Sequence, residues 1–198
     1  MAAFQPKRIY SLEEYLQLER HSDEKFEFWD GNVWSLSGAS FAHNLIVRNL
    51  STELDLKLRE KNCFALPADM RIKVPSYSPY RYPDLTAGCG KPEIEQIGGI
   101  DMLANPQLIV EVLSDSTEAF DRGDKFTYYK SIETFSEYVL VAQHRPHVSQ
   151  FIKHGDGFWI NLEFNSLAEA VELRSVSCSV PLESIYRDVS FPEHNLLN

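Results

Sequence analysis

Leu108-Ile109-Val110-Glu111-Val112-Leu113 decides how this chain is read: an apolar run interrupted by a single carboxylate. The run follows an Asn105-Pro106 turn signal and is too short for a typical helix, so it reads as a strand. Near-continuous apolarity suits a strand covered on both faces. Alternation puts Ile109, Glu111 and Leu113 on one face and Leu108, Val110 and Val112 on the other. A carboxylate in that setting loses hydration and needs a cation, hydrogen bonds or a raised pKa. Backbone donors or an arginine would meet that need as well as a functional ion.

Working outward, Tyr82 to Ala87 reads as a short strand, with Pro83 near its start where a missing donor is tolerated. Asp84 shares a face with Tyr82 and Thr86. Paired strands lie about 4.8 Å apart, so Asp84 and Glu111 converge if their strands pair in register. Two converging carboxylates repel unless one is protonated or a cation lies between them. Mg²⁺ suits such a pair, because it takes one or two carboxylates together with waters and phosphate oxygens. Beyond Glu111, the pattern predicts a helix over Asp121–Ser131, on which Asp121, Lys125 and Tyr129 share a face. Lys125 is the candidate for a fixed cation beside developing negative charge. A surface Asp–Lys pair contributing little is the alternative.

The remaining pattern surrounds this centre. Ser11–Arg20 reads as a helix capped by Ser11, with Glu13 and Glu14 in its first turn. Lys25–Leu36 reads as a hairpin turning at Asp30-Gly31. Ile46, Leu50, Leu54 and Leu58 recur every four residues in a long helix over Ser40–Lys61. Strands are expected near Cys63–Leu66 and Asp69–Val74, loops over Pro75–Arg81 and Gly88–Pro106, and a buried strand over Glu137–Ala142. His147–Lys153, Phe158–Leu162 and Ala170–Leu173 read as an antiparallel meander. The fold class is α/β (α+β), a central mixed sheet flanked by helices with an antiparallel C-terminal extension. One domain over residues 1–190 and a loose tail over 191–198 are expected.

Composition narrows the setting. With 198 residues, 43% of them hydrophobic, the chain can bury a sizeable core. No apolar run approaches the roughly 18 residues of a membrane span, and the start lacks a secretory apolar region, so a cytoplasmic address is expected. Cys63, Cys89 and Cys178 lack CxxC spacing and read as reduced thiols, neither a disulfide frame nor a zinc site. A net charge of −10 argues against a nonspecific nucleic-acid coat protein. Lys57, Arg59, Lys61, Arg71, Lys73 and Arg81 form a local basic zone, read either as a contact for nucleic acid or as solvated surface. His43 reads as a structural residue at the start of the long helix, with a phosphate contact as the alternative, and His144 and His147 as a poor metal pair. Trp29, Trp34 and Trp159 read as core or interface residues rather than base-stacking platforms.

Taken in order, Tyr82-Pro83-Asp84-Leu85, Ile109-Val110-Glu111-Val112-Leu113-Ser114 and Asp121-x-x-x-Lys125-x-x-Tyr128 resemble the PD-(D/E)XK nuclease pattern. With Phe26-Glu27-Phe28-Trp29-Asp30-Gly31 and His43-Asn44, the chain more narrowly resembles the Uma-type restriction endonucleases, from about Ser11 to about Val141. The resemblance implies a restriction-endonuclease-like core and a metal site at Asp84 and Glu111. It adds Glu27 as a third acid and the Val112 carbonyl as a further ligand. It assigns Lys125 the role usually held by a lysine two positions after the acid, where Leu113 stands here. Gln143 replaces an aspartate frequent in relatives. The expected activity is Mg²⁺- or Mn²⁺-dependent hydrolysis of DNA by a homodimer, since cutting both strands of a duplex takes two sites. The alternative is a catalytically silent protein that uses the fold to bind protein or nucleic acid. RNA or another phosphate ester is a third possibility for the substrate.

Overall fold

The strand around Glu111 is the axis of the molecule, and its two faces define two cores. The computed structural model describes residues 8–191 other than 23, 30, 37, 77–79 and 98, and only the backbone of Trp29. The chain opens with α1 (Leu12–His21), the hairpin β1 (Phe26–Trp29) and β2 (Asn32–Ser35), and α2 (Phe41–Leu58). Then come β3 (Cys63–Pro67), β4 (Ile72–Lys73), β5 (Tyr80–Arg81), β6 (Leu85–Cys89), β7 (Ile94–Ile97), β8 (Ile100–Leu103) and β9 (Leu108–Leu113). A helical run follows, made of α3 (Glu118–Phe120), a π-helical turn (Asp121–Lys125) and α4 (Phe126–Tyr129). The chain continues through β10 (Glu137–Ala142), β11 (Val148–Lys153), β12 (Trp159–Phe164), β13 (Ala170–Leu173), β14 (Cys178–Pro181) and α5 (Leu182–Ile185).

The central sheet has the order β12-β11-β10-β9-β6-β3. It is mixed: β9 and β10 run parallel, and the other neighbours run antiparallel. Leu108, Val110 and Val112 pack with Ile46, Leu50, Leu54 and Leu58 of α2. Ile109 and Leu113 join Phe126, Tyr129, Phe135 and Tyr138 in a largely aromatic core on the other face. The alternation read from the sequence therefore places Glu111 on the aromatic side.

Capping chemistry fixes the helix starts. The Ser11 hydroxyl accepts from the Glu14 N–H, and the Glu14 carboxylate accepts from the Ser11 N–H, a reciprocal box. Ser40 caps α2 by accepting from the His43 N–H. The helix ends at Leu58, short of the expected Lys61, because Arg59-Glu60-Lys61-Asn62 offers no apolar face to bury. A third cluster, Tyr15, Tyr80, Tyr82, Ile100 and Met102 with Phe26 and Phe28, fastens α1 and the hairpin to the four-stranded sheet β5-β4-β8-β7. The Asp30 half of the expected turn lies outside the described residues; Gly31 follows it at φ +73°, where its missing Cβ matters.

Several expectations are corrected. The segment read as a polar connection over Gly88–Pro106 contains the hairpin β7–β8, in which Ile100 and Met102 alternate with exposed Asp101. Within the loop read over Pro75–Arg81, Tyr80–Arg81 pairs with β4, which itself shrinks to Ile72–Lys73. The ladder of β6 begins at Leu85 rather than Tyr82, because Pro83 lacks a donor and Asp84 bonds through its side chain. In the C-terminal region β11 and β12 widen the central sheet, whereas β13 pairs with β14 in a separate ribbon. Most of the expected loose tail, residues 192–198, lies outside the described residues.

The cysteine reading is also overturned. Cys63 and Cys89 face each other across β3 and β6 and form a disulfide, leaving Cys178 as the buried free thiol. Strand register brings them together, and their spacing in the chain carries no sign of it. The basic zone disperses into ion pairs: Lys57 with Glu53, Arg59 with Asp55, Arg71 with Glu19 and Lys73 with Glu95. Among the described residues no helix is long and apolar enough to cross a membrane.

Candidate active site

Three elements bring the acids together. Register pairs Leu85 with Val110, so Asp84 stands one step beyond β6, beside Glu111 on β9. Its Oδ2 accepts a 2.7 Å hydrogen bond from the Val112 N–H, which ties the two strands at that point. Its Oδ1 lies 3.1 Å from Nε2 of His43, in the first turn of α2. Glu27 enters from β1, held by Arg81, whose guanidinium lies 3.6 Å from Glu27 Oε2 and donates to the Phe28 carbonyl.

The helical run supplies the cation. Lys125 Nζ is 2.9 Å from Glu111 Oε1, 3.2 Å from Asp121 Oδ1 and 4.0 Å from Glu27 Oε1. Tyr129 donates a 2.7 Å hydrogen bond to the same Glu111 oxygen. The π-helical turn between Asp121 and Lys125 sits at this point of the helix, a feature often found at functional sites. Glu111, Asp121, Glu27 and Lys125 are all buried.

Burial raises the Glu111 carboxyl well above the ordinary glutamate range; Lys125 opposes that shift, and the charges of Asp121 and Asp84 reinforce it. Lys125 is drawn the other way. Burial favours its neutral form, but Glu111, Glu27 and Asp121 outweigh it and hold the ammonium protonated well above the usual lysine range. Tyr129 is raised by burial and by Glu111, so it donates as a neutral phenol.

Most of these residues line one cavity of about 950 Å³, with Asp84 and Glu111 beside Val112, and Glu27 and Lys125 alongside. The donors are hard oxygens, the type that suits Mg²⁺. Glu27 Oε1 and Asp121 Oδ1 are buried and accept no hydrogen bond among the described residues, so their charge is met there by the Lys125 ammonium alone. Among the described residues no three His, Cys, Asp or Glu side chains stand as a ready cage. An ion here would therefore take a carboxylate pair, the Val112 carbonyl and waters, a ligand set that Mg²⁺ accepts.

All the residues singled out for the site thus come together. Sequence reasoning undervalued others. His43, read as structural, contacts Asp84; its place in the first turn of a helix bordering the site was the available signal. Gln143 accepts a hydrogen bond from the Ser40 hydroxyl and so ties the end of β10 to the cap of α2. Trp159 packs against the aromatic core as expected, but Trp34 is 44% exposed and borders the cavity. His147 contacts Glu163 and Ser149 and, among the described residues, holds no partner histidine.

A mixed sheet with acids at the middle strands, answered by a lysine from the next helix, defines a nuclease-type α/β protein. Residues 12–182 match the family described as "Uma2: Putative restriction endonuclease", and the chain belongs to that family. It is 33% identical to uncharacterized protein slr1290 of Synechocystis over 91% of this chain and 93% of that one. It is 35% identical to sll1609 of the same organism over 79% and 88%. The fold resembles the crystal structure of "a putative nuclease belonging to DUF820" from Anabaena variabilis. That match has a TM-score of 0.71 at 14% identity and covers 88% of this chain and 96% of the other.

Proposed function

We propose that this protein is a metal-dependent endonuclease that hydrolyses DNA phosphodiester bonds. The observation that carries the reading is the convergence of Glu27, Asp84, Glu111 and Lys125 on one cavity. Asp84 and Glu111, with the Val112 carbonyl, would hold Mg²⁺ or Mn²⁺, and Glu27 completes the acidic set. When bound, the ion supplies Lewis-acid polarisation of the phosphate and lowers the pKa of a bound water.

The chain's own groups do the rest. Both contacts of Glu111, with Tyr129 and Lys125, fall on Oε1, so Oε2 is the oxygen it offers to an ion. Tyr129 fixes the rotamer of that carboxylate. Lys125 presents a permanent positive charge where the attacking water and the developing negative charge of the phosphate meet. Cutting both strands of a duplex needs two such sites, which a twofold homodimer supplies.

One observation favours a catalytically silent binding module instead: the Lys125 ammonium already neutralises the acids that would otherwise require a metal. The deciding experiment is cleavage of supercoiled plasmid, linear duplex, single-stranded DNA and RNA with Mg²⁺ or Mn²⁺, beside Glu111→Ala and a chelator. Cleavage of DNA lost in both controls supports the proposal, and preferential cleavage of RNA replaces its substrate. Absence of cleavage, together with unchanged weak metal affinity in Asp84→Ala, overturns it in favour of the silent module.

A further inference from the structure

Trp34 lies across the hairpin from Glu27. The two are register partners on β2 and β1, and directly opposed residues in an antiparallel pair project from the same face with Cβ atoms about 5 Å apart. Glu27 is buried, whereas Trp34 is 44% exposed. The acid therefore forms part of the floor and the indole part of the rim of the same cavity. Leu36, also exposed, lines the cavity too, as do Ser114, Ser116 and Thr117, whose hydroxyls hydrogen-bond through Ser114.

A flat apolar ring beside a charged floor, in a cavity also lined by hydroxyl side chains, is a specific combination. An indole face suits a nucleobase, stacking being worth about 1–3 kcal/mol per base and indifferent to its identity. Hydroxyl groups suit sugar and phosphate oxygens. A base one nucleotide from a phosphate held over Glu27 and Lys125 is within reach of the ring, given the cross-strand spacing. A cavity of about 950 Å³ accommodates a whole nucleotide.

We propose that Trp34 is a nucleobase-stacking platform that holds the nucleotide next to the scissile phosphate in an unstacked state. The inference rests on the nuclease reading above and sharpens its substrate. A base inside an intact duplex is covered on both faces by its neighbours, so a base on Trp34 comes from a single strand or is turned out of the helix.

The test uses the full chain carrying Glu111→Gln to stop cleavage, with Ca²⁺ as the ion. The probes are a dye-labelled oligothymidylate and a deoxyribose-phosphate oligomer of equal length without bases. Oligothymidylate is expected to bind more tightly. Trp34→Ala should weaken its binding about 5- to 100-fold, the range that one stacked base represents, and leave binding of the abasic oligomer unchanged. Trp34→Phe should restore most of the affinity while abolishing the quenching of tryptophan emission by thymine, which guards against a misfolded alanine variant. Equal affinity for the two oligomers, binding of neither, or equal loss on both in Trp34→Ala overturns the platform. A change in sedimentation with unaltered oligothymidylate binding also overturns it, and makes Trp34 a contact between two copies.

The two readings fail separately. Plasmid cleavage sensitive to Glu111→Ala with no base-dependent binding removes the platform and keeps the nuclease. Binding of bases through Trp34 with no cleavage of any substrate does the reverse.

Discussion

At the scale of single residues, the acids and their lysine form a unit whose charges only make sense together. Glu111 is easier to protonate than an ordinary glutamate because burial, Asp121 and Asp84 all disfavour its charge. Its folded pKa lies above its unfolded one, so its contribution to stability is greatest below the ordinary glutamate pKa and declines as pH rises through the folded value. Lys125 is opposite in effect: its pairing stabilises the fold below the usual lysine pKa and is lost as pH rises through its raised folded value. A divalent ion requires the ionised Glu111. Mg²⁺ affinity followed by calorimetry is therefore expected to fall with acidity beginning well above the ordinary carboxylate range, and Glu111→Gln should lower cleavage at least about 100-fold while keeping the fold. Affinity unchanged down to the ordinary range would remove Glu111 from the ligands. Lys125→Met gives the complementary result. It leaves Glu111 and Asp121 buried without their cation and Glu27 with Arg81 alone, a loss of about 3–5 kcal/mol without metal. Added Mg²⁺ should recover much of that loss in thermal unfolding, and a melting point indifferent to Mg²⁺ would count against a metal at this position.

At the scale of elements, the hairpin is the least self-sufficient part of the site, and its position is set from α1. Glu19, buried on the last turns of that helix, accepts from the Phe26 N–H at 2.7 Å and from the Tyr82 and Tyr80 hydroxyls, and pairs with Arg71. Burial pushes the Tyr80 phenol up to about 12 and raises Tyr82 further, so both remain neutral donors. Glu19→Ala strands those donors at the base of β1, one residue from Glu27. A loss of about 3 kcal/mol is expected from the unpaired buried groups, with cleavage falling more than in Glu19→Gln, which keeps an acceptor. Equal cleavage by both variants would mean that the hairpin is held by its aromatic packing alone. The legibility of the chain follows the same division. Strand β9 and helix α2 could be read because burial on a fixed period leaves a pattern in the apolar residues. Hairpin β7–β8 could not, because Glu95 and Gln96 on its exposed strand give it the composition of a loop. Asp84 and Glu111 were legible as charges out of place in apolar runs, and Glu27 through the family resemblance. Their supporters were not: His43 and Arg81 acquire roles only through contacts between distant segments, and the Cys63–Cys89 bond likewise depends on register.

At the scale of the whole molecule, the question is how a chain of net charge −10 holds a polyanion. Of the basic residues that looked like a track for nucleic acid, Lys57, Arg59, Arg71, Lys73 and Arg81 pair with neighbouring carboxylates and Lys61 donates to the Ser177 carbonyl. Of the cavity's cations, Arg81 and Lys125 are buried against its acids. Lys25, partly exposed at the rim, also contacts Asp69. Around the cavity little positive charge is left to displace counterions from DNA. Binding must then depend on the cavity itself: an ion held by the acids, short-range contacts with one nucleotide, and whatever a second copy adds. A protein that neutralises many phosphates shows a steep fall of affinity with salt, roughly 0.9 logarithmic units per phosphate contact for duplex DNA. For this protein, with Ca²⁺ held constant and cleavage blocked, a slope shallower than about −3 is expected in a monovalent salt titration. Chelation of the ion should weaken binding far more than the same titration does, because removing it exposes the phosphate to the carboxylates directly. A slope of about −6 or steeper that persists in chelator would place the main contact on a basic surface elsewhere, and the cavity would then serve chemistry without contributing to capture.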